Sequence, residues 1–368
     1  MTAAVGGNNV GALDLPSRRE VIERARREGC RVVAVLPYHY PRALLRAYGF
    51  HPIELWGPPH VPRDEGGRHF QSYTCDIVVR ATSFLLQGGL DSVDAILVPH
   101  TCDALQGMGS VVGDFLQPGR PVLSLYLPRG ERASDQSFLI EELRRLANQL
   151  AEITGHEPTS REWDAAFAAE EAADQALADL YENRSNRAVT DRHFYTVVRA
   201  REYLPAEDFV ALAAALPAGE PLEGGLGLMV SGIVAEPMEL FDRLNEMGAQ
   251  VVADDLACGA RRLYPFSDRS DPFARIAERL MGNPPDPTRG SPIEQRIDML
   301  QAQMADAGAR GLLIYDVKFC EPELFDVPLV SRHLRAAGYP VVHVEVEIGE
   351  TLSNQTVTRL QAFVEMLQ

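Results

Sequence analysis

Short runs of consecutive apolar residues alternate along this chain with longer stretches whose apolar positions recur every three to four residues. The first kind reads as a buried parallel strand and the second as an amphipathic helix. Residues 17–29 predict a helix stopped by Gly29, and residues 32–36 a strand. A short helix opened by Pro41 and stopped by Gly49 follows, then a strand over 52–55 and a Gly/Pro-rich loop over 57–70. Residues 76–87 predict a helix, and 95–98 and 122–127 predict strands. From about Ser134 to Leu216 the pattern is helical throughout, and Thr159-Ser160-Arg161-Glu162 has the spacing of a capping box. The alternation then returns, with strands at 227–234, 251–254, 312–315 and 341–346. Helices are predicted at 237–247, 271–281, 292–307, 322–337 and 356–367, and Ser291-Pro292-Ile293-Glu294 predicts a second capping box. Strand–helix–strand alternation argues for parallel, doubly wound sheets. The expected fold class is therefore α/β: two doubly wound parallel-sheet (Rossmann-like) domains joined by a helical segment. The expected divisions are 1–133, 134–218 and 219–368.

Composition narrows the function classes. A chain of 368 residues with 46% hydrophobic positions can bury real cores, which excludes a disordered protein. The net charge of −17 has the wrong sign for a phosphate backbone, so nucleic acid is set aside as a partner. Apolar runs such as 32–36 and 226–230 fall far short of the ~20 residues a spanning helix needs, so no membrane is expected. Residues 1–15 carry no basic residue and no apolar core, so no export leader is read there and a cytoplasmic location is expected. Five cysteines, an odd number in such a chain, favour reduced thiols over a disulfide framework.

Three of the cysteines share a context. Cys75 opens a predicted helix, Cys102 follows the strand at 95–98, and Cys320 follows the strand at 312–315. In open α/β sheets ligands bind beyond the carboxyl ends of the strands, and a cysteine at a helix N-terminus ionises more readily. Three converging thiolates would hold an iron–sulfur cluster with one iron open; equally, each is read as a small buried hydrophobe. Cys30, at a helix–strand junction, reads as buried and inert. Lys318 is the only lysine, two residues before Cys320; chance and a compact ammonium with an anion-binding or pKa-shifting role both remain open. His39, His51, His60, His69 and His100 crowd the region before Cys102 and raise a mononuclear zinc or iron site as a competing reading, although their spacing fits no zinc motif.

Several separated segments resemble, in order, the family of 2-hydroxyacyl-CoA dehydratase and benzoyl-CoA reductase subunits. They are Pro41-Arg42-Ala43-Leu44-Leu45-Arg46-Ala47-Tyr48-Gly49, Pro52-Ile53-Glu54-Leu55-Trp56-Gly57, Pro99-His100-Thr101-Cys102-Asp103 and Asp254-Asp255-Leu256-Ala257-Cys258-Gly259-Ala260-Arg261-Arg262. The longest runs from Gly311 through Tyr315-Asp316-Val317-Lys318-Phe319-Cys320-Glu321-Pro322. The resemblance implies one 4Fe-4S cluster per chain, with Cys75, Cys102 and Cys320 at the ligand positions. It implies a homologous second subunit or a second copy of this chain, an ATP-dependent iron–sulfur activator, and an acyl-CoA whose thioester is reduced to a ketyl radical. The (R)-2-hydroxyacyl-CoA dehydratase type is the first expectation. A benzoyl-CoA reductase type, or a non-catalytic relay or structural subunit, stays as the alternative. No flavin or nucleotide is expected on this chain, which lacks a phosphate-binding Gly-x-x-x-x-Gly-Lys-Ser/Thr loop.

Glu54 matches a glutamate of relatives and is the candidate acid/base, with Trp56 beside it to raise its pKa; a solvated edge-strand glutamate is the plain alternative. Lys318 joins it as a candidate catalytic residue. Arg261 and Arg262 are candidates for CoA phosphates, since a guanidinium fork matches phosphate, or for surface salt bridges. Cys258 reads as structural. The segment Pro37-Tyr38-His39-Tyr40-Pro41 lacks the small hydroxyl or thiol that many relatives carry before the proline, and Asn283-Pro284-Pro285-Asp286 lacks cysteines found there in some.

Overall fold

The computed structural model describes residues 15–222, 224–349 and 351–368. The leader-free reading of residues 1–15 lies, but for Leu15, outside the described residues. The apolar runs form eight strands: β1 (Arg31–Val35), β2 (Phe50–Glu54), β3 (Ala95–His100), β4 (Val122–Tyr126), β5 (Leu226–Gly232), β6 (Ala249–Leu256), β7 (Gly311–Val317) and β8 (Val341–Val346). They make two four-stranded sheets, ordered β2-β1-β3-β4 and β6-β5-β7-β8, with every pair parallel. Each half thus has the order second-first-third-fourth. In each, the winding reverses between its first and third strands, the place where doubly wound sheets open a crevice.

Around the first sheet lie α1 (Arg18–Arg27), α2 (Arg42–Ala47), α3 (Asp64–Gly67), α4 (Asp76–Leu86) and α5 (Asp103–Ser110), with a π-helical turn at Val111–Leu116. Then come α6 (Ala133–Thr154), α7 (Ser160–Glu182), α8 (Asp191–Ala200) and α9 (Ala206–Ala214). The second half carries α10 (Glu239–Glu246), α11 (Pro272–Met281), α12 (Ile293–Asp306), α13 (Glu321–Ala336) and α14 (Asn354–Leu367). Among the described residues no helix is long and apolar enough to cross a membrane.

Strand alternation sends successive side chains to opposite faces. Val33 and Val35 of β1 join Leu123 and Leu125 of β4 against Leu139, Leu143, Leu146 and Leu150 of α6 and Ile276, Ala277 and Leu280 of α11. Val32 and Ala34 face the other way, into a core that continues through α8 and α9 to Leu228 and Val230 of β5. Met229, Leu312 and Ile314 cover the far face of the second sheet with α12 and α13.

The helical segment, expected to link or cover the two sheets, covers them in part. α6 is a layer of the first sheet, and α8 stacks Tyr195 on Phe241 of α10 at a ring distance of 4.3 Å. Two local expectations also shift. Thr159 caps α7, and Glu162 reaches back to its backbone N–H at 2.7 Å. The box at Ser291 does not form: α12 starts one residue later, behind Pro292, which moves Glu294 to the second helical position, out of reach of a box. The loop expected at 57–70 contains the short α3, and α5 with its π-turn was not anticipated.

Candidate functional site

Cys75, Cys102 and Cys320 each occupy the position just before a helix: α4, α5 and α13. Cys102 follows β3 and Cys320 follows β7, the corresponding third strands of the two sheets. The two halves meet here. The Asp76 N–H donates to the Lys318 carbonyl at 3.4 Å, and the Ile348 N–H donates to Asp76 Oδ2 at 2.8 Å. Cys75 and Cys320 are buried, and Cys102 is partly exposed.

Backbone N–H groups of Ile77 and Val78 serve Cys75, and those of Leu105 and Ala104 serve Cys102. The Cys75 thiol is held below the usual thiol range, first by its contact with the Cys320 thiol. The same contact and burial push Cys320 well above it. Burial lifts Cys102 to about 11, against the pull of the Leu105 and Ala104 amides. A donor set of three thiols, gathered from both halves and offered helix N-terminal amides, suits a group that binds thiolates and carries negative charge.

Among the described residues, no three or more His, Cys, Asp or Glu side chains are arranged to hold one metal ion. Two of the histidines that raised a mononuclear site are committed elsewhere. His51 Nε2 meets the Tyr203 carbonyl at 2.8 Å, and His39 faces Asp286 and Tyr264.

Glu54 ends β2 and is 2% exposed, which removes the solvated edge-strand alternative. Trp56 does not act as an apolar wall: its indole N–H donates to Glu54 Oε2 at 2.9 Å. Tyr40 Oη donates to Oε1 at 3.0 Å, and the guanidiniums of Arg42 and Arg262 also donate to the carboxylate. Four donors, two of them cationic, hold this group.

Arg261 and Arg262 are not surface forks. Arg261 is fully buried, bonded to Asp255 at 2.8 and 2.9 Å and to Glu323 at 2.5 Å, while Arg262 pairs with Glu54. Neither guanidinium faces solvent, which corrects the expectation of CoA phosphate contacts and of surface salt bridges. Lys318 is 40% exposed and pairs with Glu347 at 2.7 Å. Cys258 is buried with its thiol pushed to about 12 by desolvation, as suits a structural residue. Cys30, expected buried, is exposed.

Sequence reasoning missed a buried polar cluster beside these groups. Asp286 Oδ2 accepts from Tyr38 and lies 3.0 Å from His39 Nε2; Oδ1 accepts from Thr288 N and Oγ1 at 2.8 Å. Burial pushes Asp286 up to about 7 and holds His39 well below its usual value, where Arg289, Arg261 and Arg262 also oppose a positive imidazole. Glu323, in the first turn of α13 and three residues after Cys320, joins Arg296 at 2.6 Å and Arg261 in the same buried network. The available signal was the pairing of carboxylates and arginines around the apolar Leu256-Ala257-Cys258 in 254–262; the polar, Pro/Gly-rich stretch 286–296 gave none.

A family model for 2-hydroxyglutaryl-CoA dehydratase, D-component, matches residues 37–367. The beta subunit of lactoyl-CoA dehydratase from Anaerotignum propionicum is 25% identical, over 91% of this chain and 91% of its own. The beta subunit of (R)-2-hydroxyglutaryl-CoA dehydratase from Acidaminococcus fermentans is 25% identical over 95% and 96%. A benzoyl-CoA reductase subunit from Thauera aromatica is 23% identical over 90% and 89%. A solved laminin-binding adhesin of Streptococcus agalactiae covers 92% of this chain and 98% of its own, at 10% identity and a TM-score of 0.24, too low to support any inference. The relatives are of the enzyme type that the sequence segments resemble, and the match runs nearly from end to end. The chain belongs to the 2-hydroxyglutaryl-CoA dehydratase D-component family.

Proposed function

We propose that this chain is the iron–sulfur subunit of an acyl-CoA-acting enzyme of the (R)-2-hydroxyacyl-CoA dehydratase type, with a 4Fe-4S cluster on Cys75, Cys102 and Cys320. The observation that carries the proposal is the placement of these three thiols before three helices at the junction of both sheets. Held by Cys75, Cys102 and Cys320, the cluster would supply low-potential one-electron chemistry toward an acyl-CoA thioester, fed by an ATP-dependent activator. Helix N-terminal amides favour the charge of the ligating thiolates, and the buried flanks of Cys75 and Cys320 exclude water from two of the three ligands. The relatives named as beta subunits support a companion subunit for this chain.

A second reading, a relay or structural subunit, is favoured by Glu54. Its carboxylate already accepts from four donors, and no small hydroxyl stands before Pro41. The two readings part on substrate radical formation with activator and acyl-CoA, which only the catalytic subunit supports.

Anaerobic purification with iron and sulfide assay tests the cluster. About four irons and four sulfides per chain are expected, lost in Cys102→Ser. An iron-free chain, prepared without oxygen alongside its companion subunit, would overturn the proposal.

A further inference from the structure

We propose that Asp76 is a positioning residue for the iron–sulfur cluster. Its backbone and side chain fasten the start of α4, and with it Cys75, to the turn of the second half that carries Cys320, and its buried charge disfavours an added electron on the cluster. This role presupposes the iron–sulfur reading above, but its first test does not need iron.

Each of the three cysteines is followed directly by an acid: Asp76, Asp103 and Glu321. A helix favours an acid in its first turn, which accounts for Asp103 and Glu321, both exposed. Asp76 is fully buried, and among the described residues its Oδ1 accepts no hydrogen bond. Burying a carboxylate oxygen in that way costs stability, so the preference of a helix start does not by itself explain this aspartate.

The bonds run to both halves. The Asp76 N–H donates to the Lys318 carbonyl at 3.4 Å, two residues before Cys320, and Oδ2 accepts from the Ile348 N–H at 2.8 Å, two residues beyond β8. The two tie points belong to one unit, because β7 pairs with β8 as far as Val317 and Val346 and the Lys318 N–H donates to the Val346 carbonyl at 2.8 Å. The chain then turns at Phe319, whose φ is 64°, and the Cys320 N–H closes the turn on the Val317 carbonyl at 2.9 Å. This brings the Cys320 thiol to the Cys75 thiol. On the other side, Arg80, one turn along α4, donates Nε to Asp76 Oδ2 at 2.9 Å and a terminal nitrogen to the carbonyls of Val61 and Pro59 at 2.7 and 3.2 Å. Arg63 Nε lies 3.7 Å from Oδ1. One carboxylate thus gathers α4, the 57–70 loop and the ends of β7 and β8. A cluster whose ligands come from both halves binds best to sulfurs already held in place. Near those sulfurs a buried anion opposes reduction, and its removal leaves Arg80 and Arg63 less compensated, which favours reduction further.

The position is tested on the full chain stripped of iron by chelation in air. Diamide takes two electrons and two protons from a pair of thiols, and mass spectrometry maps the disulfides formed. The ratio of Cys75–Cys320 to Cys75–Cys102 reports which sulfurs meet, whatever the rate at which the reagent enters. Cys75–Cys320 is expected to predominate in the wild type, and the ratio to fall about tenfold in Asp76→Ala, the effect of one hydrogen bond to a charged group. Leu143→Ala, which weakens the core on the other face of the first sheet, is expected to keep the wild-type ratio. An unchanged ratio in Asp76→Ala, or an equal fall in Leu143→Ala, would overturn the positioning role. Asp76→Asn keeps an oxygen for the Ile348 N–H and removes the charge. In an anaerobic redox titration followed by electron paramagnetic resonance, the cluster of this variant is expected to be about tenfold more reduced at the wild-type midpoint, an upward shift of about 59 mV. An unmoved midpoint would overturn the electrostatic role, and this measurement decides alone should Asp76→Ala not fold. A wild type without iron sinks the iron–sulfur reading but leaves the disulfide ratio to be read, so the two failures are distinguishable.

Discussion

At the end of β2, the Glu54 carboxylate neutralises two guanidiniums that have few other partners. Among the described residues, Arg262 donates otherwise only to the Ala257 carbonyl at 3.1 Å, and its second terminal nitrogen finds no hydrogen-bond acceptor. Breaking a buried pair by removing one charge leaves the other desolvated and unpaired. Glu54→Gln keeps the shape and removes the charge, so it is expected to cost about 3–5 kcal/mol in urea unfolding at neutral pH. A loss below about 1 kcal/mol would show that Arg42 and Arg262 find partners elsewhere. Lys318 gives the opposite expectation. Its pair with Glu347 is 40% and 50% exposed, so Lys318→Ala is expected to change stability by about 0–1 kcal/mol. If that variant is stable but inactive in the assembled enzyme, the only lysine acts in the chemistry. If activity stays, the plain reading of its position holds.

The elements show which parts of this structure a single sequence reveals. Strands such as β1 and β7 were legible because a parallel strand buried on both faces reads as a near-continuous apolar run, here Val32–Val35 and Leu312–Tyr315, with the buried Asp316 of β7 the exception. Cys75 was legible as a helix opener, and Cys102 and Cys320 as residues just beyond a strand; in the fold each also precedes a helix with an acidic first turn, at Asp76, Asp103 and Glu321. α5 was not legible, because Gly107, Gly109 and the following Gly113 weaken its pattern; Gly109 is needed where a Cβ would come within 2.6 Å of His100 Nε2. The role of α6 was hidden for another reason. An amphipathic stripe says that a helix covers something but not what, and here the partner is the first sheet. Leu143, wholly buried on that face, tests the point: Leu143→Ala is expected to cost about 2–5 kcal/mol in urea unfolding. Ile276→Ala in α11, far along the chain, is expected to destabilise the same core. A cost under about 1 kcal/mol for both would mean that α6 and α11 merely drape over the sheet.

Across the whole molecule, the seam between the halves is ionic as well as apolar. Glu54 of the first half meets Arg262 of the second, Tyr38 and His39 meet Asp286, and Asp76 binds the backbone of Ile348. These pairs set how stability depends on pH. Asp255, Glu323 and Glu202 are held below the usual carboxylate range by their arginines, despite burial, so their contribution is present above an unfolded value near 4 and is lost as pH falls below it. Asp286 has the opposite sign. Its folded value of about 7 lies above the unfolded one, so between about pH 4 and 7 the folded chain keeps a proton that the unfolded chain has released. Stability from this group therefore falls as pH rises through that window and levels off above 7. Asparagine is neutral at every pH and carries no such slope. The stability of the wild type minus that of Asp286→Asn, measured by urea unfolding from pH 4.5 to 8.5, is therefore expected to decline steadily and flatten beyond neutrality. Parallel profiles would mean that Asp286 stays ionised in the folded chain. Its carboxylate would then serve only to hold Thr288 and Arg261 at the seam.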